Sequence, residues 1–341
     1  MVFLRGRLRA KGRMLPPSPP ASAGTTIALY DAEGTDHSLA VSDVSPDRLN
    51  DRQLLWIDMT PARDVAAVAA ALGLAPDTVA GLDAAAPEPA LFVHDGYVHV
   101  VAVAPGDVPG GGPSVLHCIV GPNWIVTAHD HAIAFLDNFG ERIRGDSALG
   151  GITSHEFLAA ILEEHVTNYF AELHSIEAGL DRLDLTVLAG RVDEDDLLRE
   201  LVASRLRLAK LRRLLAPHRE LVAVLSRAEF RVLAGTDSDD AFERLGELLE
   251  RALQGMETTR DAIVGSFDIY TTRVAHGANK VMKLLTVVSV TLLMPTLLAG
   301  VMGMNSLPRF LSSGSVFAVT ILAMFGLALG TLAIARARSW I

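Results

Sequence analysis

The hydrophobic pattern divides the chain into three textures. Short β-rich runs at Leu54–Asp58, Ala90–Val103, Ser114–Val120 and Asn123–Ala128 are mixed with alanine-rich stretches such as Ala62–Leu72. The runs at Val115–Val120 and Trp124–Thr127 flank Gly121-Pro122-Asn123, a hairpin signal. Pro61 fits the first turn of a helix, with Thr60 as its cap. Residues 25–150 therefore read as an α/β domain around a small sheet. From Thr153 the texture changes. Phe157, Ile161, Val166, Tyr169, Phe170, Leu173, Ile176, Leu180 and Leu183 recur at three and four spacing, and proline is absent until Pro217. A second run, Leu197–Leu215, mixes arginine and leucine at helical spacing. With a turn at Leu188–Gly190 between them, the two runs predict long antiparallel helices within residues 151–240.

The third texture is apolar throughout. After Gly235–Asp240 a helix begins that nothing breaks up to Leu293, so a stalk over 241–280 runs on without interruption into the first apolar stretch. Val281–Val301 is apolar apart from Lys283 and small hydroxyl residues, and Val316–Ala335 has no charge at all. Each is close to the ~20 residues that cross roughly 30 Å of hydrocarbon. The short connection, residues 302–315, makes them a hairpin. The fold class is thus an α/β N-terminal domain, long α-helices and a C-terminal two-helix transmembrane hairpin, with the stalk continuous with the first span.

Charge orients that hairpin. The whole chain carries −10, yet from Ile269 onward there is no Asp or Glu. That segment holds Arg273, Lys280, Lys283, Arg309, Arg336 and Arg338, and only Arg309 lies in the connection. The positive-inside bias then puts both chain ends, the acidic body and the tail 336–341 in the cytoplasm, with the hairpin in the cytoplasmic (inner) membrane. An acidic body disfavours nucleic acid as a partner. The single cysteine, Cys118, excludes an internal disulfide and a multi-cysteine zinc site, and reads as a core residue in a reducing compartment. Residues 1–24, with Arg5, Arg7, Arg9, Lys11 and Arg13 before a proline-rich run, lack the apolar core of a secretory signal and read as a disordered arm. His129, His131, His94 and His99 do not complete a metal-ligand set, so satisfied or exposed histidines are expected. No phosphate-binding glycine motif or catalytic triad is present, and the chain is not expected to be an enzyme.

One motif carries chemistry. Met302-Gly303-Met304-Asn305 closes the first span, Asn279-Lys-Val-Met282-Lys-Leu-Leu285-Thr286 enters it, and Pro295-Thr296 lies between. In this register the chain resembles the CorA family of magnesium and cobalt channels, whose first span starts and ends on such stretches; Trp56-Ile-Asp58 resembles the family's cytoplasmic domain more loosely. The resemblance implies a homopentamer whose first spans line the axis and whose filter is Gly303, Met304 and Asn305. Elementary chemistry agrees with a cation role. Mg²⁺ dehydrates reluctantly, so neutral carbonyl and amide oxygens facing a hydrated ion suit it better than a carboxylate cage. Gly303 and Asn305 also both favour the end of a helix, and the two roles are expected together. Asn279, Met282, Leu285, Ser289, Leu293 and Thr296 share one helical face and are the expected pore lining, with Met282 and Leu285 a constriction that closes by dewetting. Lys280, Lys283, Arg336 and Arg338 would collar the cytoplasmic mouth, as a similar belt does in the family, or anchor the hairpin among lipid headgroups, the reading preferred for Arg336 and Arg338.

Two departures from the family pattern stand out. The connection after the filter has no carboxylate, only Arg309. Near the start of the stalk, where the family binds regulatory divalent ions, the chain has Arg244; Asp239, Asp240, Glu243 and Glu247 are the candidate ligands, or else a solvated helix face. No resident cofactor is expected. Mg²⁺ is the expected cargo, with Co²⁺ and Ni²⁺ as further candidates. The alternatives are a zinc transporter of the related ZntB type, from which Met304 differs at the middle of the tripeptide, and a membrane-anchored sensor or scaffold that conducts nothing. The expected partners are further copies of the chain and the lipid bilayer.

Overall fold

In a computed structural model, the described residues are 24–59, 65–82, 88–106, 112–188, 194–227, 239–303 and 314–338. They fall into two compact units, Met1–Ile263 and Val264–Ile341.

The first unit is built on a sheet whose seven strands, among the described residues, run β1 (Thr26–Asp31), β2 (His37–Ser38), β3 (Gln53–Met59), β4 (Ala90–His94), β5 (Tyr97–Ala104), β6 (Ser114–Val120) and β7 (Trp124–His129). Their spatial order is β2-β1-β3-β7-β6-β5-β4. All neighbours are antiparallel except β3 and β7, which run parallel. The sheet is larger than the sequence suggested, because β1 and β2 were not read from the pattern. The run Ala90–Val103 is two strands, not one: Asp95-Gly96 makes a two-residue turn with Gly96 at φ +85°, which a glycine adopts without strain. β5 and β7 are buried along their whole length, as a strand covered on both faces must be.

Alternation along β3 shows the two faces. Leu55, Ile57 and Met59 join Val68, Leu72 and Leu82 in one core, supplied by α1 (Val65–Leu72) and α2 (Pro76–Leu82). Trp56 faces the opposite way, its ring 6.2 Å from Phe139 and 5.6 Å from Phe157, on α3 (Ala134–Ile143) and α4 (Ser154–Leu188). The expected cap and first turn at Thr60 and Pro61 lie outside the described residues. Cys118 is fully buried on β6, and burial pushes its thiol well above the usual range.

α4 and α5 (Glu194–Leu215) are the two long helices expected, and the ion pair Arg207–Glu172 at 2.9 Å joins them across their connection. A short α6 (His218–Leu225) follows Pro217. α7 then runs from Asp239 to Met302 without a break, with Pro295 inside it. Its first part buries Phe242, Leu245, Leu249, Leu253, Met256 and Ile263 at three and four spacing. Three polar ties flank that stripe: Arg219–Glu250 at 2.6 Å, Arg212–Glu257 at 2.6 Å and Thr259–Glu177 at 2.8 Å.

The second unit contains the rest of α7 and α8 (Gly314–Ala337). Both helices are long and apolar enough to cross a membrane, and their apolar stretches are only 6% buried. A core helix of a water-soluble protein would be mostly buried, so that alternative does not fit. Exposed apolar surface on this scale needs a lipid or protein environment.

Candidate functional site

Within the second unit the less exposed positions of α7 are Lys283, Val287, Thr291, Pro295, Leu298 and Met302. They recur every three or four residues and mark the side that meets α8. On α8 the matching stripe is Thr320, Met324, Ala328, Thr331 and Ala335, where small residues permit close approach. The hydroxyls of Thr291 and Thr331 bond at 3.1 Å between the helices. Pro295 has no N–H to donate back to the Thr291 carbonyl one turn earlier. Helix hydroxyls elsewhere satisfy carbonyls: Thr286 donates to Met282 O at 2.8 Å and Thr296 to Leu292 O at 2.7 Å.

At about 100° per residue, Met282, Leu285, Ser289, Leu293 and Thr296 fall on the side of α7 opposite that stripe, and Asn279 lies at its edge. All six are exposed. Met282 at 66%, Leu285 at 64% and Leu293 at 63% exposure are not covered by any of the described residues. Lys280, Arg336 and Arg338 are exposed near the other end of the hairpin from Gly303, with Lys283 half-buried beside them in sequence.

α7 ends at Met302. The Gly303 N–H closes its last turn with a shared bond to Ala299 O at 3.0 Å and Gly300 O at 3.2 Å. The left-handed backbone of a glycine cap is not adopted at Gly303; the helix ends there by a tightened last turn instead. Met304 and Asn305 lie outside the described residues, as does the arginine-bearing connection.

At the start of α7, Asp240, Glu243, Arg244 and Glu247 are exposed, and the Asp239 side chain is not among those described. No three metal-ligating side chains converge among the described residues.

Six histidines, His99, His117, His129, His155, His165 and His218, are buried in the first unit, and five of them belong to three networks that the sequence did not reveal, whereas His37, His131, His174 and His276 are exposed. At the C-terminal ends of parallel strands β3 and β7, Trp56 Nε1–H donates to Thr127 Oγ1 at 3.0 Å, and Thr127 donates to Asp58 Oδ1 at 2.5 Å. His129 completes this chain at 3.3 Å from Asp58 and donates from Nδ1 to His131 O at 2.7 Å. Burial lowers the His129 pKa, but the Asp58 hydrogen bond and charge and the His131 carbonyl together outweigh it and raise it. Across β5 and β6, His99 Nε2 lies 3.0 Å from His117 Nδ1. Burial, with the neighbouring imidazoles, lowers His99 to about 4, and burial lowers His117.

The third network ties β5, α4 and α6. His218 Nδ1–H donates to Leu214 O and Leu215 O at 3.1 and 3.2 Å. Its Nε2 must then be the unprotonated nitrogen, accepting from Val103 N–H at 3.2 Å and from His165 Nε2–H at 3.1 Å. That leaves His165 Nδ1 without a partner among the described residues. Tyr169 OH donates to Val103 O at 2.6 Å. Burial drives His218 down to about 4 and His165 well below its ordinary value.

The architecture defines a class first: a mixed α/β body joined through one uninterrupted helix to an apolar helical hairpin. The particular family follows from comparison. The model of the family described as CorA-like Mg²⁺ transporter protein matches residues 51–336, so the chain belongs to that family. The cobalt/magnesium transport protein CorA of Thermotoga maritima is 30% identical over 171 residues, which span 50% of this chain and 48% of that protein. The complete structure of the CorA magnesium transporter from Methanocaldococcus jannaschii superimposes with TM-score 0.76 at 20% identity, covering 94% of this chain and 100% of that one. The cytoplasmic domain of ZntB from Vibrio parahaemolyticus matches with TM-score 0.59 at 13% identity, covering 74% of this chain and 99% of that domain. The two structural likenesses concern the fold.

Proposed function

We propose that the chain is one subunit of a divalent-cation channel, most simply for Mg²⁺, assembled as a homopentamer in the cytoplasmic membrane with both chain ends inside. The observation that carries this reading is the face of α7 opposite α8. It runs from Asn279 through Met282, Leu285, Ser289, Leu293 and Thr296, is exposed in the single chain, and leads to the helix end at Gly303. A single helix cannot enclose a wet path, so the face needs copies of itself. Packed around an axis, it presents an amide at Asn279, an apolar ring at Met282 and Leu285, and hydroxyls at Ser289 and Thr296. Gly303, Met304 and Asn305 form the filter. Their carbonyl and amide oxygens hold an ion that keeps its waters. Membrane potential supplies the driving force, about 4.6 kcal/mol for a doubly charged ion at 100 mV.

Lys280, Lys283, Arg336 and Arg338 anchor the cytoplasmic ends among lipid headgroups. Asp239, Asp240, Glu243 and Glu247 would hold a regulatory divalent ion together with carboxylates of a neighbouring copy, since no ligand set converges among the described residues of one chain. Loss of such an ion would leave like charges facing each other and loosen the closed assembly.

The test is metal uptake by proteoliposomes containing the purified chain, with Mg²⁺, Co²⁺, Ni²⁺ and Zn²⁺ in competition. Wild type takes up Mg²⁺ when the lumen is made negative, and Asn305→Ala removes nearly all of that flux while the protein stays folded and oligomeric. Unchanged flux in Asn305→Ala, or preference for Zn²⁺ over Mg²⁺, would refute the reading.

A further inference from the structure

Between α7 and α8, on the side of the Thr291–Thr331 bond that leads toward Arg338, the helices leave a cavity of about 220 Å³. Thr286, Val287, Val290, Ile334 and Ala335 make its walls, Thr331 stands at the inner end, and Arg338 lines the end near the tail. Two features of this cavity point to a ligand. Its lining is mostly hydrocarbon, yet an arginine stands at one end. No Asp or Glu side chain occurs from Ile269 onward to neutralise that charge. Thr331 and Arg338 are seven residues apart on one helix, roughly 10 Å along its axis, so the apolar part and the charge are two ends of one elongated groove. By the orientation proposed above, the charged end lies at the inner membrane surface, where anionic headgroups are found.

From this we infer that the groove is a binding site for one anionic phospholipid. The phosphate sits at Arg338, and an acyl chain lies along Val287, Val290 and Ile334 toward the Thr291–Thr331 bond. A headgroup anion supplies the charge the hairpin lacks, and an acyl chain fills walls that water would wet at a cost. A neutral lipid satisfies only the second requirement, and inorganic phosphate only the first. The assignment rests on the proposed function only in placing the hairpin in a membrane with Arg338 at the inner surface; it does not need the chain to conduct.

The experiment uses the delipidated full-length protein in neutral detergent, with bound lipid counted by native mass spectrometry as phosphatidylglycerol or phosphatidylcholine is added. Phosphatidylglycerol binds saturably at one per chain and phosphatidylcholine more weakly. Arg338→Gln weakens phosphatidylglycerol roughly fivefold, the worth of one basic side chain at an anionic surface, and leaves phosphatidylcholine unchanged; Arg338→Lys recovers most of the loss. Ala335→Leu, which fills the groove, weakens both lipids. Millimolar inorganic phosphate does not compete. Equal affinity in Arg338→Gln, full competition by phosphate alone, or a cross-link from a cysteine at Ala335 to a second copy's helix would each overturn the assignment. Metal uptake measured on the same preparations separates the two ideas. A chain that binds this lipid and carries no metal keeps the groove and loses the channel, and one that conducts without the lipid preference does the reverse.

Discussion

The body and the hairpin treat polar side chains in opposite ways. In the body, buried polar groups are tied to one another: Trp56, Thr127, Asp58 and His129 in one chain, His99 with His117, and His165 with His218, Val103 and Tyr169 close by. In the hairpin, one hydroxyl pair crosses between the helices among the described residues, and the other hydroxyls noted there return to their own helix. The difference follows from the surroundings each must satisfy. A sheet covered on both faces has no water to serve its polar groups, so each needs a partner inside the fold. A helix satisfies its own backbone and can present an unpartnered face to lipid or to another copy. The body is therefore specified from within a single chain, and the hairpin only by what surrounds it.

Acid should produce the largest separation of the two regions. His99, His155 and His218 are held near 4, and His117 and His165 are also lowered, chiefly by burial. A histidine with a depressed native pKa contributes full stability above its unfolded value near 6.5. That contribution falls as pH drops toward about 4, because the unfolded chain takes up the proton first. Counting one proton for each imidazole pair and one for His155, the loss is about 4 kcal/mol per pH unit. His129 opposes it, since its raised native pKa adds stability below its own titration. Denaturant titrations of the detergent-solubilised protein, followed by the fluorescence of Trp56 and Trp124, should show the body failing between pH 6.5 and 4. The hairpin has no carboxylate and should keep its helicity. A flat stability between pH 7 and 5 would mean that the imidazoles are more hydrated than their burial implies.

The next effect isolates packing from charge. A Cβ on Gly150 would lie 2.4 Å from Ala32 N, 2.6 Å from Arg52 O and 2.8 Å from Tyr30 O. All three are backbone atoms, and Ala32 N–H is itself bonded to Arg52 O at 3.0 Å. They cannot swing aside as a side chain would, so Gly150→Ala should cost about 3 kcal/mol or more. Gly326→Ala in α8 meets nothing within 4 Å and should be neutral or slightly stabilising, as alanine is in any helix. Thermal melts of both variants against wild type decide this; equal shifts would erase the contrast.

What the sequence disclosed divides along the same line. The two spans, the long helices and the unbroken stalk were legible because helical periodicity and apolar length are local properties, and β6 and β7 because a hairpin signal joins them. β1 and β2 were missed: one is short, neither has a long alternating run, and their place at the sheet edge depends on β3. The parallel pairing of Trp56 with Ile125 and of Asp58 with Thr127 joins segments about seventy residues apart, and no spacing rule reaches that far. The same holds for His165 and His218, which read as unremarkable helix residues until α4 and α6 meet. The exposed face of α7 was visible as a three and four repeat, but its direction away from α8 became visible only once α8 had a place.

Placing the same substitution in both regions gives the smallest and sharpest test. Thr127→Val keeps the shape of a buried side chain but leaves Trp56 Nε1–H without its acceptor and Asp58 with only His129 beside it. The penalty for orphaned buried groups is about 1–3 kcal/mol. Thr331→Val removes the partner of Thr291 in the hairpin. A polar pair between membrane helices is worth only about 0.6 kcal/mol on average, because Thr291 can turn back to its own helix. Valine also suits the apolar walls beside Thr331. Stability of the two variants, measured on the full chain by denaturant for the body and by steric-trap or thermal assay for the hairpin, should therefore differ several-fold. If Thr331→Val costs as much as Thr127→Val, the Thr291 hydroxyl has no alternative partner, and the hairpin is as internally specified as the sheet.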